Sequence, residues 1–242
     1  MPPIILHHGY LDMGDMRIGP VRFPCFRGID TAVVQRGYPV LVTRVSPMGS
    51  IAKRAGQLKE QIERFLNERK LSGPIVIAAH SMGGLDARYM IAELDMAPRI
   101  AALITVSTPH RGSSWADWML RRLRGFAIGG PAQRDLTVES CAQFNQRVPD
   151  APGVKYYSIC GAVPAQRIPL FSRKSYRVVY DAEGDNDGLV SVASATWGTH
   201  LETWPANHWE QRNVRLPGFV KDMSGQITPR WVNVIEKAAA AV

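Results

Sequence analysis

Two kinds of apolar pattern alternate along this chain. Short continuous runs, rich in Ile, Val and Leu, occupy residues 4–8, 38–45, 75–79 and 100–107, with Gly, Pro or Ser at many of their borders. Runs of that length and composition read as strands buried on both faces. Between them, apolar residues return every three or four positions. Ile51, Ala55, Leu58, Ile62, Phe65 and Leu66 form one such stripe, which predicts a helix over 51–69 ending near Ser72-Gly73-Pro74. Shorter helices are predicted over 28–36, stopped at Gly37, and over 85–92. Strands alternating with helices imply a mostly parallel sheet with helices on both faces, an α/β architecture.

The second half is less regular. Trp115, Trp118, Met119, Leu123 and Phe126 keep helical spacing, with Arg121, Arg122 and Arg124 among them. Gly125, Gly129, Gly130 and Pro131 then break the pattern. A helix is predicted over 136–146, strands over 154–160 and 176–180, and loops over 181–188 and 205–213. A last helix is predicted from 228 to 241, with Thr228 as N-cap and Pro229 in its first turn. No repeat, low-complexity tract or linker divides the chain, so residues 1–242 are expected to form a single domain.

Composition narrows the class. The 242 residues are 45% hydrophobic and 21% charged, an ordinary globular balance with enough chain for one substantial core. No apolar run approaches the roughly 20 residues of a transmembrane helix. The first residues lack a basic segment and a cleavage site. A cytoplasmic location is therefore expected, or a secreted one if a leader has been trimmed away. Cys25, Cys141 and Cys160 are odd in number and scattered, which reads as core thiols rather than disulfides or a zinc site. The balance of 29 basic to 21 acidic residues gives a net charge of +8. Nucleic-acid-binding motifs are missing, so no nucleic-acid partner is expected and the excess reads as arginine-rich solvated faces.

The chemistry gathers around His80-Ser81-Met82-Gly83-Gly84, a sharp turn between the strand at 75–79 and the helix at 85–92. A serine on such a turn is held in a strained backbone conformation. The positions two before and two after it must be small, and here they are Ala79 and Gly83. The helix that follows aims its N-terminal N–H groups at the serine. The plain alternative is a buried strand followed by a helix that Ser81 caps. A nucleophilic serine also needs a base to take its proton and a third group to orient that base. Asp185-Asn186-Asp187-Gly188 offers the acid and Ala206-Asn207-His208-Trp209 the base. The rivals are Asp181 and Asp185 for the acid, and His8, His80, His110 and His200 for the base.

This strand–turn–helix with a central serine resembles the nucleophile elbow of the α/β-hydrolases, in which nucleophile, acid and histidine follow in that chain order. The resemblance extends to the bacterial triacylglycerol lipases of the Pseudomonas and Burkholderia type. It is carried by Leu6-His7-His8-Gly9, Val42-Thr43-Arg44-Val45-Ser46-Pro47, Ala79-His80-Ser81-Met82-Gly83-Gly84 and Ser107-Thr108-Pro109-His110-Arg111-Gly112-Ser113. Further along come Phe144-Asn145-Gln146, Tyr156-Tyr157-Ser158, Asn186-Asp187-Gly188-Leu189-Val190 and Asn207-His208. The resemblance implies an α/β-hydrolase fold with Ser81 as nucleophile, Asp187 as acid and His208 as base. Tyr10 and Met82 would give the oxyanion N–H groups, as the residues after the first strand and after the nucleophile.

Three departures from that family stand out. The segment at about 113–135 leaves room for only a short lid, with Trp115, Trp118 and Phe126 as acyl-chain contacts. The calcium-binding positions hold Glu210 and Val214, so no metal or other cofactor is expected. A family cysteine is replaced by Ala193. The function expected is a serine carboxylic ester hydrolase, a lipase or esterase acting on acyl esters through an acyl-enzyme. A monomer with transient contact to lipid interfaces is expected. A thioesterase, an acyltransferase or an inactive lipid-binding fold would use the same residues.

Overall fold

The structure is a computed structural model and describes residues 1–11, 16–18, 21–23, 25–123, 129–214 and 223–240. Its strands, in chain order, are β1 (Ile4–His7), β2 (Met16–Ile18), β3 (Val21–Phe23), β4 (Val40–Val42), β5 (Ile75–His80), β6 (Ile100–Val106), β7 (Lys155–Gly161) and β8 (Thr199–Trp204). The helices are α1 (Ile29–Gln35), α2 (Ile51–Arg69), α3 (Gly83–Glu93), α4 (Ser114–Arg122), α5 (Pro131–Asp135), α6 (Val138–Arg147), α7 (Arg173–Glu183), α8 (Val192–Ala195) and α9 (Ser224–Ala239). Six strands form one sheet in the order β4-β1-β5-β6-β7-β8, and every pairing in it is parallel. β2 and β3 make a separate antiparallel pair.

The alternation of side chains along a strand divides the core into two layers. Ile4, Leu6, Val76, Ala78, Ala102 and Ile104 face one way and pack with Ile29 and Val33 of α1 and Ile227, Trp231 and Ile235 of α9. Ile5, Ile75, Ile77, Ala79 and Leu103 face the other way, onto Ala55, Leu58 and Ile62 of α2 and Met90 and Ile91 of α3. Both faces of β5 are thus fully buried, which is why its sequence reads as an unbroken apolar run. α2 starts where Ser50 Oγ accepts from the Lys53 N–H and stops at Lys70, in the left-handed region at φ 51°.

Three local expectations change. Residues 176–180 lie within α7, not in a strand. Tyr176 and Tyr180 stack on each other at i,i+4, and Ser175 and Val179 turn inward at the same spacing. The last helix begins at Ser224, one turn before Thr228. Gln226 and Ile227 both donate to the Met223 carbonyl there, while Thr228 Oγ1 accepts from Asn213 Nδ2 instead of capping. Pro229 therefore sits inside α9, where its lack of an N–H forfeits one backbone bond. β8 is a strand without an apolar run in sequence. It is a sheet edge, its residues are mostly exposed or half-buried, and it pairs with β7 through backbone bonds.

A charged knot fixes the end of β1. Arg54 and Asp86 are both fully buried, on α2 and α3, and Arg54 Nη2 lies 2.8 Å from Asp86 Oδ2. Arg54 also donates to the carbonyls of His8 (2.7 Å) and Ser46 (2.8 Å), so one guanidinium ties together the loops after β1 and β4. His7 completes the knot, with Nε2 at 3.0 Å from Asp86 Oδ2 and Nδ1 at 2.6 Å from Thr43 Oγ1. Removing one partner of such a pair leaves the other charge buried without compensation. Arg54→Met is expected to lower unfolding free energy by about 3–5 kcal/mol in urea titrations.

Candidate active site

The loops that follow β1, β5, α7 and β8 converge at one point. Ser81 follows β5 directly and has φ 56°, the left-handed backbone expected of an elbow. Its N–H donates to the Val106 carbonyl (2.9 Å), and its own carbonyl accepts from Thr108 Oγ1 (2.7 Å). The crowding explains the small residues. A Cβ on Gly83 would sit 2.8 Å from the His8 carbonyl oxygen, and one on Gly9 would sit 2.6 Å from Ser81 Cβ. Only glycine at both places lets the loop after β1 touch the serine.

Two other loops bring the acid and the imidazole. His208 Nε2 is 3.0 Å from Ser81 Oγ, and His208 Nδ1 is 2.7 Å from Asp187 Oδ2. All three expected residues are therefore in one hydrogen-bonded line. The loop carrying Asp187 follows α7, and Gly188 at φ 108° makes the turn beside the acid. Asp187 Oδ1 accepts from the N–H groups of Leu189 (3.0 Å) and Val190 (2.9 Å). Burial alone would push this carboxyl up. The charge and hydrogen bond of His208, together with those two N–H groups, outweigh burial and hold it below its ordinary value. The His208 N–H in turn donates to the Asp187 carbonyl (2.9 Å), so the two loops are locked together.

The rival residues are elsewhere or otherwise engaged. Asp181 is exposed on α7 beside Arg177, and Asp185 is exposed. His110 is buried, with Nε2 3.1 Å from Thr105 Oγ1 and its ring stacked on Trp197. His200 sits on the edge strand, 3.2 Å from Thr203 Oγ1. His8 Nδ1 faces the Gly9 carbonyl and its Nε2 accepts from the Val45 N–H. His80 is buried directly beneath His208, with ring centroids 4.5 Å apart.

Tyr10 and Met82 flank Ser81 as expected, one on the loop after β1 and the other at the N-terminus of α3. Among the described residues, neither backbone N–H donates to a protein acceptor. Trp115 and Trp118 lie on α4, half-buried and stacked at 4.9 Å, with Lys174 Nζ 4.2 Å from the Trp118 ring. Phe126 lies outside the described residues. Glu210 is committed to protein partners, accepting from Arg167 Nη2 (3.0 Å) and the Asn207 N–H (2.9 Å). No cluster of three or more His, Cys, Asp or Glu suited to a metal occurs among the described residues.

Two participants were not anticipated. Gln211 Nε2 donates to Asp187 Oδ2 (3.0 Å), and its Oε1 is 3.1 Å from His80 Nε2. Arg54 braces the loop that holds Tyr10. A cation inside the apolar stripe of Ile51, Ala55 and Leu58 was the visible signal for Arg54; nothing marked Gln211.

A fold of this design, with a serine elbow after its central strand, defines a class. The chain belongs to the alpha/beta hydrolase fold family, whose profile matches residues 2–148. A triacylglycerol lipase 2 of Saccharomyces cerevisiae is 32% identical over 191 residues, covering 73% of this chain and 58% of the yeast protein. A triacylglycerol lipase of Vibrio cholerae is 26% identical over 261 residues, covering 88% of this chain and 80% of the relative. The chain thus spans little more than half the length of its yeast relative. Among solved structures, a mature Bacillus licheniformis lipase superposes with a TM-score of 0.73 at 19% identity, over 97% of this chain and 91% of the other. That likeness establishes the fold. No helix among the described residues is long and apolar enough to cross a membrane.

Four histidines near or behind the site give a pH signature. His7, His8, His80 and His110 are buried, and desolvation is the chief cause holding each below its ordinary value of 6.5. The unfolded chain therefore binds more protons than the native one once pH drops below about 6.5. Stability is fully present above that pH and declines as pH falls, by up to about 1.4 kcal/mol per pH unit for each ring until its folded value is reached. Asp187, held low, adds a further loss only below its ordinary value of 3.8. Urea midpoints measured from pH 8 to pH 5 are expected to fall most steeply below 6.5.

Proposed function

We propose that this protein is a serine carboxylic ester hydrolase of the lipase or esterase kind, with Ser81, His208 and Asp187 as its catalytic residues. The observation that carries the proposal is the unbroken hydrogen-bond line from Ser81 Oγ through His208 to Asp187. In this reading Ser81 Oγ attacks the ester carbonyl carbon while His208 Nε2 takes the hydroxyl proton. Asp187 keeps Nδ1 protonated and offsets the imidazolium charge. The Tyr10 and Met82 N–H groups receive the oxyanion, each worth on the order of 3–4 kcal/mol in the transition state. Collapse of the tetrahedral species expels the alcohol, protonated by His208, and leaves an acyl-Ser81. Water, deprotonated by the same imidazole, then releases the carboxylic acid and restores the serine.

The proposed substrates are acylglycerols or other medium-to-long acyl esters, a class supported by the names of the yeast and Vibrio relatives. The proposal treats residues 1–242 as one domain in which the segment at about 113–135 is a short lid. The Trp115–Trp118 stack on α4, with Arg121 and Arg122 in its last turn, suits contact with acyl chains at a lipid surface; Phe126 is proposed for the same role from sequence alone.

Ser81→Ala is expected to lower kcat on p-nitrophenyl esters by about 10⁶-fold while the protein stays folded. A fluorophosphonate probe is expected to label the parent protein at Ser81 and to spare the variant. Near-normal turnover by the variant would refute the assignment. Rates across esters from acetate to palmitate test the acyl class, with a maximum at medium or long chains expected.

A further inference from the structure

The proton path proposed above ends at Asp187, but the hydrogen bonds do not. Asp187 Oδ2 accepts from His208 Nδ1 and also from Gln211 Nε2 (3.0 Å), and Gln211 Oε1 lies 3.1 Å from His80 Nε2. Donor logic fixes every proton along this line. An ionised carboxylate only accepts, so the amide NH₂ of Gln211 must face it. Gln211 Oε1 must then face His80, so His80 Nε2 carries a hydrogen. His80 Nδ1, buried and without a hydrogen-bond partner among the described residues, is left bare. His80 thus presents Nε2–H to Gln211, with its ring 4.5 Å from the ring of His208.

The geometry points to Gln211 as a positioning residue for the reaction: its amide holds the Asp187 carboxylate against His208 and, through Oε1, keeps the His80 hydrogen on Nε2. Two imidazoles at this spacing compete for one proton. Burial, and then the neighbouring His208, push His80 well below the ordinary histidine value, so the proton from Ser81 stays on His208. Space is reserved for the arrangement. A Cβ on Gly161, at the end of β7, would sit 2.0 Å from Gln211 Nε2 and 3.0 Å from Asp187 Cβ. The Gln211 backbone is held separately, by Trp231 Nε1 at 2.7 Å from its carbonyl. The side chain also donates to the Ala206 carbonyl (3.3 Å), so it braces the loop that carries His208 as well as the carboxylate.

Few other titratable groups face this line. Cys160 on β7 is near Asp187, and burial pushes its thiol up, keeping it neutral. Glu210 is turned toward Arg167, and Arg212 Nη1 reaches the Cys25 carbonyl. The hydrogen-bond partners of the His208 ring are therefore Ser81 on one side and Asp187, with its donors, on the other.

This inference rests on the ester-hydrolase reading, and its test separates the two. The acidic limb of kcat/KM against pH reports the ionisation of the free base. Losing the Gln211 donor concentrates negative charge on Asp187 Oδ2 and favours the imidazolium. Gln211→Leu is expected to move that limb to higher pH by about half a pH unit. It is also expected to reduce kcat by about tenfold with KM within about twofold, since the amide touches no substrate. Gln211→Met, with similar length and bulk, replaces it if the leucine variant does not fold. A folded variant with parental kcat and an unmoved limb overturns the inference. On the parent protein, ¹⁵N-histidine NMR is expected to show His80 as the neutral Nε2–H tautomer from pH 5 to pH 9. A charged His80, or the Nδ1–H form, overturns it equally. Activity surviving Ser81→Ala would instead sink the hydrolase reading, whereas an inactive Ser81→Ala with an unchanged Gln211→Leu profile sinks this inference alone.

Discussion

The architecture turns on a steric constraint at one corner. Ser81 is held at a positive φ with the loop after β1 pressed against it, and no side chain fits between the two backbones at positions 9 and 83. Everything else in this region either permits that approach or secures it. The parallel sheet sets β1 beside β5 in register, His7 opposite Ala79, so both strands deliver their following loops to the same point. The left-handed serine costs on the order of 1–3 kcal/mol, and such a conformation persists only where the surroundings over-determine it. Here the Val106 carbonyl, Thr108 Oγ1 and the glycine contacts do so.

Charge is managed in two separate compartments around this corner. Beneath the loop after β1, Arg54 and Asp86 form a fully buried pair whose spare donors are used up on the carbonyls of His8 and Ser46. Asp86 Oδ2 takes both Arg54 and His7, while its Oδ1 is buried without a hydrogen-bond partner among the described residues, a cost that the pairing has to offset. On the other side, Asp187 takes donors on both oxygens, while His80 remains neutral beside His208. A guanidinium is permanently charged and suits a fixed brace. An imidazole changes charge near neutral pH and suits a moving proton.

How much of this could be read from residues alone follows from the kind of force involved. The strands at β1, β5 and β6 and the long helix α2 were legible because burial on two faces, or on one stripe, leaves a periodic imprint. The elbow and its two partners were legible because few residue types can serve those roles. The hidden parts were those fixed by neighbours distant in sequence. β8 has no apolar run because its edge position demands backbone pairing more than buried side chains. The segment at 176–180 resembled a strand because Tyr-Arg-Val-Val-Tyr fits both periods, and packing of Ser175 and Val179 decides for the helix. Pro229 gave a false helix start, because α9 tolerates a proline in its second turn once Met223 accepts the earlier N–H groups. Gln211 carries no signature: its partners lie 24 and 131 positions away.

Order of synthesis gives the 127-residue separation of Ser81 from His208 a further meaning. A ribosome delivers the Ser81 hydroxyl 127 residues before the His208 imidazole. The imidazole, the carboxylate and the indole of Trp231 that clasps the Gln211 carbonyl emerge only much later. Throughout that interval Ser81 has neither the imidazole nor the carboxylate beside it. The hydrogen-bonded line from Ser81 to Asp187 can close only after residue 208 has been made, so a product that stops short of it lacks the line.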